Sequence, residues 1–295
     1  MAVNNSLATK KSNARLGLTA YLTQDAVKDQ INKVVGGKDG QRFMSAIISA
    51  TTTNPALQEC TNQSILSGAL LGESLKLSPS PQLGQYYLVP YNDNKKGKVA
   101  QFQLGYKGYI QLAVRSGQYK KMTVLAIKEG ELINYDPLNE EIEVQLIQDE
   151  EAREQAATIG YYAMFEYVNG FKKAMYWSRS KMEAHAVKYS PGYAADKRKG
   201  TSYTFWAKDF DGMAYKTMLR QLISKWGIMS IEMATALDSD YAVINEDGTR
   251  NYVETEIVEP EQEIIEMPSE PEEAQEEVTE PSENDSDVAN TLFGN

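Results

Sequence analysis

The chain has 295 residues, a formal net charge of −11, 42% hydrophobic residues and a single cysteine. That content suits a soluble globular protein with a real core. No apolar run reaches the roughly 18 residues of a membrane span, and Cys60 alone excludes an intramolecular disulfide or a multi-cysteine metal site.

The first 20 residues are polar and Ser/Asn/Lys-rich, and residues 1–22 are expected to form a flexible arm without the apolar core of a secretory signal. Three helices follow: Thr23 to Gly36–Gly37, Asp39 to about Thr52, and one opening at Thr61 that carries Ile65, Ala69 and Leu70 before the breakers Ser78-Pro79-Ser80-Pro81. The pattern then turns to β. Residues 85–91 and 99–104 flank a polar segment, 92–98, and predict a long-tipped hairpin. A helix over 105–117 precedes a strand over 121–128. Residues 141–147 alternate, with Ile142, Val144 and Leu146 on one face, as in a half-buried strand. Asn169–Gly170 joins strands 158–168 and 171–177 as a hairpin. A helix over 178–189 and a Gly/Pro/Lys loop over 190–202 lead into a helical run from 203 to 227. The apolar stripe of that run changes sides near Asp211–Gly212, which predicts a kink or a fresh helix start. Residues 246–295 form an acidic Glu/Pro/Ser-rich tail, expected to be disordered. The predicted class is α+β: N-terminal helices, a central, mostly antiparallel sheet with a long hairpin, then C-terminal helices, with residues 23–245 as the working domain.

Charge is placed unevenly along this chain. Residues 251–295 hold fifteen acidic side chains and no basic one, and residues 129–154 hold ten acids opposed only by Arg153. The remainder carries 29 basic and 16 acidic residues. A basic body with two acidic segments suits a polyanion, and nucleic acid is the first candidate.

Catalytic machinery is scarce. His185 sits between Ala184 and Ala186 and reads as an ordinary packed or surface histidine. Gly36-Gly37-Lys38-Asp39 lacks the first glycine and the Ser/Thr of a phosphate-binding loop. The carboxylates of 129–154 leave a metal-dependent nuclease open, although a solvated face explains them more simply. No cofactor is implied. Binding features are stronger. Residues 94–128 contain Lys95, Lys96, Lys98, Lys107, Arg115, Lys120, Lys121 and Lys128 with no acid, interleaved with Phe102, Tyr106, Tyr109 and Tyr119. In the helix over 105–117, Tyr106, Tyr109, Ile110 and Ala113 make the buried stripe, while Lys107, Gln111 and Arg115 form a polar row. Gly105 opens that helix with N–H groups able to meet phosphate, and Gly108 allows a close backbone approach. A second basic region includes Lys172, Lys173, Arg179, Lys197-Arg198-Lys199, Lys208, Lys216, Arg220 and Lys225, with 197–199 expected in a mobile loop. Many lysines among scattered aromatics favour backbone grip and stacking over base-edge reading. An RNA chaperone with the same electrostatics stays open.

The segments YYLVPY (86–91), LGYKGYIQLAVRSGQYK (104–120) and MAYKTMLRQLISKWGIMS (213–230) resemble the phage-type RecT single-strand annealing recombinases, over roughly residues 25–240. The resemblance implies an ATP-independent, non-enzymatic cytoplasmic protein that binds single-stranded DNA and an annealed duplex intermediate. It implies a homo-oligomeric ring or filament and a partner exonuclease. Carried onto this sequence, it makes Lys107, Arg115, Lys216, Arg220 and Lys225 the best expected DNA contacts, and Tyr106, Gln111 and Arg179 are further candidates from the basic and aromatic pattern. Lys95, Lys96, Lys98 and Lys197–Lys199 would close over the strand, with less expected of Lys120, Lys121, Lys172 and Lys173. Phe43, Ile47 and Leu57 suggest subunit contacts through the N-terminal helices. The tip of the tail, Asp285-Ser286-Asp287 with Leu292–Phe293, resembles the acidic-then-apolar tips of bacterial single-strand binding proteins, which makes the host's protein of that kind a candidate partner. The tail itself either competes with DNA for the basic groove or only solubilises.

Overall fold

Apolar spacing builds helices first. A computed structural model describes residues 17–36, 38–93 and 96–252 of the chain. Its N-terminal helices are α1 (Leu18–Leu22), α2 (Asp25–Val35), α3 (Gly40–Thr53) and α4 (Asn62–Ser74), with a 3-10 turn at Pro55–Glu59. Residues 18–22, placed in the arm by their sequence, thus make a helical turn that buries Leu22. Thr61 caps α4 by accepting the Ser64 N–H. Phe43, Ile47 and Leu57 are all buried in the protomer's own core, so the argument that spent them on subunit contacts falls.

The hairpin predicted from YYLVPY is β1 (Tyr86–Asp93) against β2 (Gly97–Leu104). Pairing reaches Asp93 opposite Gly97, so the connection is residues 94–96 and shorter than the predicted seven-residue polar loop. Strands β8 (Ala242–Ile244) and β9 (Arg250–Tyr252), which the sequence did not announce, extend this sheet in the order β1-β2-β8-β9. Its inner face, Tyr86, Leu88, Ala100, Phe102 and Leu104, packs on α4. That packing requires glycine on the helix: a Cβ at Gly72 would lie 2.3 Å from the Tyr86 ring.

The predicted helix over 105–117 is α5 (Tyr106–Ser116), stopped by Gly117 in the left-handed region. A second sheet has the order β3 (Tyr119–Lys128), β6 (Thr158–Tyr167), β7 (Lys172–Ser178), all antiparallel, with the Asn169–Gly170 turn between β6 and β7 as expected. A small two-stranded sheet, β4 (Leu132–Asp136) and β5 (Glu141–Val144), holds the alternating acidic segment. Val144 and Leu146 are exposed there, so only Ile142 of the expected buried face is partly covered. A short helix, α6 (Glu150–Gln155), follows.

The C-terminal helices are α7 (Arg179–Tyr189), α8 (Pro191–Lys199), α9 (Phe205–Lys208), α10 (Phe210–Trp226) and α11 (Ile231–Ser239). The expected loop over 190–202 is therefore largely helix. Ser190 caps it, Pro191 occupies its first turn and Gly200 ends it at φ +66°, the Pro-start, Gly-stop asymmetry of helices. The expected break falls at Asp209, two residues before Asp211, and the Asp209 carboxylate accepts the Gly212 N–H at 2.9 Å to restart the helix. α10 packs across β6, β3, β7 and α5. Its ends are pinned by tyrosines: Tyr161 donates to Asp211 at 2.6 Å, and Tyr167 donates to the Trp226 carbonyl at 2.9 Å. The result is α+β, as the sequence suggested. Among the described residues no helix is long and apolar enough to cross a membrane.

Candidate nucleic-acid interface

The pleat of β1 sorts its aromatic residues onto two sides. Tyr86 and Leu88 enter the core, so Tyr87, Val89 and Tyr91 point the other way. The register sets Gln103 opposite Tyr87 and Gln101 opposite Val89. That side of the hairpin thus carries half-buried Tyr87, Val89 and Tyr91 on β1 beside the buried Gln101 and Gln103 of β2. Gln103 donates Nε2 to Gln101 Oε1 at 2.8 Å, and Gln101 donates Nε2 to the Tyr241 carbonyl at 2.6 Å.

Two elements border this face. On one side Gly105 and Gly108 bring α5 against the strand entry: the Gly105 N–H donates to Gln85 O at 2.9 Å, and a Cβ at Gly108 would sit 2.1 Å from that same oxygen. The predicted close approach is present and its partner is residue 85. It places the exposed Lys107 beside Gly84 and 5.9 Å from the Tyr106 ring, which itself meets Tyr215 edge-on at 5.6 Å. On the other side, Phe205 of α9 lies 6.0 Å from Tyr87. Between the hairpin face and α7–α9 a cleft of about 380 Å³ opens, lined by Val89, Tyr91, Gln101, Gln103, Tyr203 and Phe205, with Lys208 at its wall. Burial, then Asp209 and Tyr106, push the Tyr87 hydroxyl's pKa up.

The basic residues expected at the DNA divide into three groups. Lys107 and Gln111 are exposed one turn apart on α5, with Tyr106 half-buried beside them; Arg198 and Lys199 are exposed at the end of α8. Others are engaged with the protein's own carboxylates: Lys197 and Arg179 with Glu183, Lys98 with Glu59, Lys120 and Lys172 with Glu166, and Lys173 with Glu140. Arg179 also stacks 3.2 Å from the Phe210 ring centroid, and Lys96 donates to Asn245 at 2.7 Å. The more exposed of these pairs cost little to exchange for phosphate, whereas Glu166 and Lys173 are largely covered. Lys225 is half-buried in the last turn of α10, and Lys95 lies outside the described residues.

The third group corrects the sequence reading. Lys216 is buried and 3.0 Å from Asp240, and Arg220 reaches the other oxygen of that carboxylate at 2.9 Å. Asp240 also accepts the Leu104 N–H at 2.8 Å and the Tyr109 hydroxyl at 3.3 Å. These two cations tie α10 to β2, α5 and the end of α11. Helical spacing placed them off the apolar stripe but could not reveal that a carboxylate 20 or 24 residues later would engage both, with Lys216 buried and Arg220 half-buried. Arg115 differs in being exposed, and its guanidinium donates to Leu75 O at 2.6 Å and Lys76 O at 3.2 Å, closing the carbonyl end of α4. Lys197–Lys199 sit on a helix end rather than in a loop.

Within the acidic segment, Glu131 and Asp149 have structural roles, while Glu129, Glu141, Glu143, Glu150, Glu151 and Glu154 are exposed. Burial pushes the Glu131 carboxyl up, but hydrogen bonds from Arg153, Lys128 N and Ile147 N outweigh it and leave the pKa below the usual carboxylate range. Asp149 caps α6 through the Ala152 N–H. Among the described residues no three Asp, Glu, His or Cys side chains converge as a metal site would need. His185 is buried among rings, 5.2 Å from Trp177 and 4.6 Å from Tyr189.

The sequence reading counts Lys208 in its second basic region but does not single out Tyr87, Tyr91, Gln101, Gln103, Tyr203 and Phe205, which lie on this face or line the cleft. The alternation Tyr87-x-Val89-x-Tyr91 was a usable signal for the two β1 tyrosines; the rest needed the fold.

A family model for the RecT family matches residues 41–260. The chain belongs to the RecT family. This places it generally among recombination and annealing proteins that act on DNA. It is 39% identical over 258 residues to an uncharacterized protein, YqaK, of Bacillus subtilis (strain 168), covering 86% of this chain and 82% of that one. It is also 28% identical over 230 residues to Protein RecT of Escherichia coli (strain K12), covering 75% and 79% respectively. The RecT match includes the hairpin, α5, α9 and α10, and so spans the whole of this face with its flanking lysines.

Proposed function

We propose that this RecT-family protein binds single-stranded DNA and anneals complementary strands without ATP, working as a cytoplasmic homo-oligomer on strands exposed by a partner exonuclease. The observation that carries the reading is the outer side of the β1–β2 hairpin, where the rings of Tyr87, Tyr91 and Phe205 lie between exposed Lys107 on one flank and exposed Lys208 on the other. Annealing needs phosphate charge neutralised while bases stay able to pair. Lysines beside a stacking surface meet both needs, because every base has a face to stack and the backbone takes the charge. Exposed Lys107, Arg198 and Lys199 supply the sequence-independent attraction, and no bond-making step is required.

The test is annealing of two complementary oligonucleotides without ATP across a salt series, with labelled single strands and magnesium as a parallel reaction. Acceleration that weakens with salt, with intact strands in magnesium, supports the proposal. Absence of acceleration at every salt concentration, or shortening of the strands, overturns it. Competition with RNA strands separates a DNA annealer from an RNA chaperone.

A further inference from the structure

We propose that the cleft between the outer hairpin face and α7–α9 receives one unstacked nucleobase of the bound single strand. This inference rests on the single-strand binding proposed above and adds a specific site to it. At about 380 Å³ the cleft falls at the small end of the ~300–1,000 Å³ typical of small-molecule sites. Its walls suit a flat aromatic group with polar edges. Tyr91, Tyr203 and Phe205 supply ring faces and Val89 an apolar floor. Gln103 spends its Nε2 on Gln101, and its Oε1 takes no protein donor among the described residues, which leaves an acceptor for a base N–H. Lys208, exposed and without an ion pair among the described residues, stands at the wall where the phosphate of a flipped nucleotide would pass.

Tyr203 is the decisive residue, because it is 79% exposed while its backbone is held in place. The buried Asp196 carboxylate accepts the Tyr203 N–H at 3.0 Å, the Thr204 N–H at 2.8 Å, the Thr204 hydroxyl at 2.8 Å and the Thr201 hydroxyl at 2.5 Å. A turn wired this tightly presents a large ring to solvent at the mouth of an aromatic cleft. A ring that serves only packing would not be left so open. A backbone fixed in this way also loses less conformational freedom when its ring stacks than a mobile loop would.

The experiment compares the full-length protein with Tyr203→Ala on two oligonucleotides of equal length, one ordinary and one in which abasic sites replace most bases. Tyr203→Ala should lower affinity for the ordinary strand about tenfold, since stacking of a base on a ring is worth ~1–3 kcal/mol. It should leave affinity for the abasic strand, and both salt slopes, unchanged. A 2-aminopurine strand should be quenched by the wild type and less so by the variant. Phe205→Ala should act in the same direction. Equal losses on both strands, or none on either, would overturn the cleft assignment while leaving the annealing reading intact. Loss of large assemblies with unchanged DNA affinity would also overturn it, showing that the cleft holds a segment of a second copy. If the wild type binds neither strand, the annealing proposal itself fails.

Discussion

Three basic residues of similar sequence context have different fates. Lys107 is exposed, Arg115 caps α4, and Lys216 is buried against Asp240. Removing Lys107 touches little, so Lys107→Ala should change stability by no more than about 0.5 kcal/mol. It should also reduce the magnitude of the salt slope of single-strand binding by about 0.7, as for one phosphate contact. Equilibrium denaturation and a salt titration check the two halves. Asp240→Ala should do the reverse. It strands the Lys216 and Arg220 cations in the interior, a loss of about 3–5 kcal/mol for breaking a buried charge network. A denaturation midpoint left unchanged would refute the assignment. Asp196 allows a pH prediction. Hydrogen bonds from the Thr201 hydroxyl and Thr204 N–H lead those that hold its carboxyl at about 2, against ~3.9 in an unfolded chain. A folded pKa below the unfolded one means the contribution is full above about pH 4 and is lost as pH falls through 2. Trp206 fluorescence should therefore report loosening of the 200–204 turn in that window, and Asp196→Asn should abolish the pH dependence.

At the scale of elements, glycine placement decides how helices meet strands. Gly108 faces Gln85 O so closely that Gly108→Ala forces α5 away from the strand entry. A loss of about 1–3 kcal/mol is expected from such overpacking, together with weaker DNA binding, because Lys107 moves with the helix. Denaturation and single-strand titration of the same variant check both. Helix α8 shows a different kind of legibility. Ser190-Pro191 and Gly200 were start and stop signals in plain view, but the Gly/Lys-rich composition between them suggested a loop. Composition is a weaker guide than caps when a helix is only nine residues long and held by its neighbours. The break in the long helical run was read correctly in kind. Its position moved to Asp209 because the cap, not the change of apolar face, sets where a helix restarts.

For the whole molecule, charge distribution is the lever. Residues 251–295 add fifteen acids and no base to a body that is otherwise net positive. If that segment competes with DNA, its deletion should raise the association rate with single strands, by about tenfold at low ionic strength, with the gain vanishing at high salt. Stopped-flow association over a salt series measures this, and identical rates for both forms would rule competition out.

The amino-acid sequence by itself determined the α+β class, most element positions, the Asn169–Gly170 hairpin and the basic character of the body. Each of these follows from local spacing, turn chemistry or composition. It also carried the family, through the blocks at 86–91, 104–120 and 213–230. Only the tertiary structure decided which cations face solvent, because the burial of Lys216 and the half-burial of Arg220 depend on a carboxylate brought in from α11's end. It alone assembled the aromatic cleft, whose lining comes from β1, β2 and the 203–208 segment, separated in sequence by about a hundred residues. Helical and strand periodicity tell which side of an element is apolar; they do not tell which other element will stand across from it.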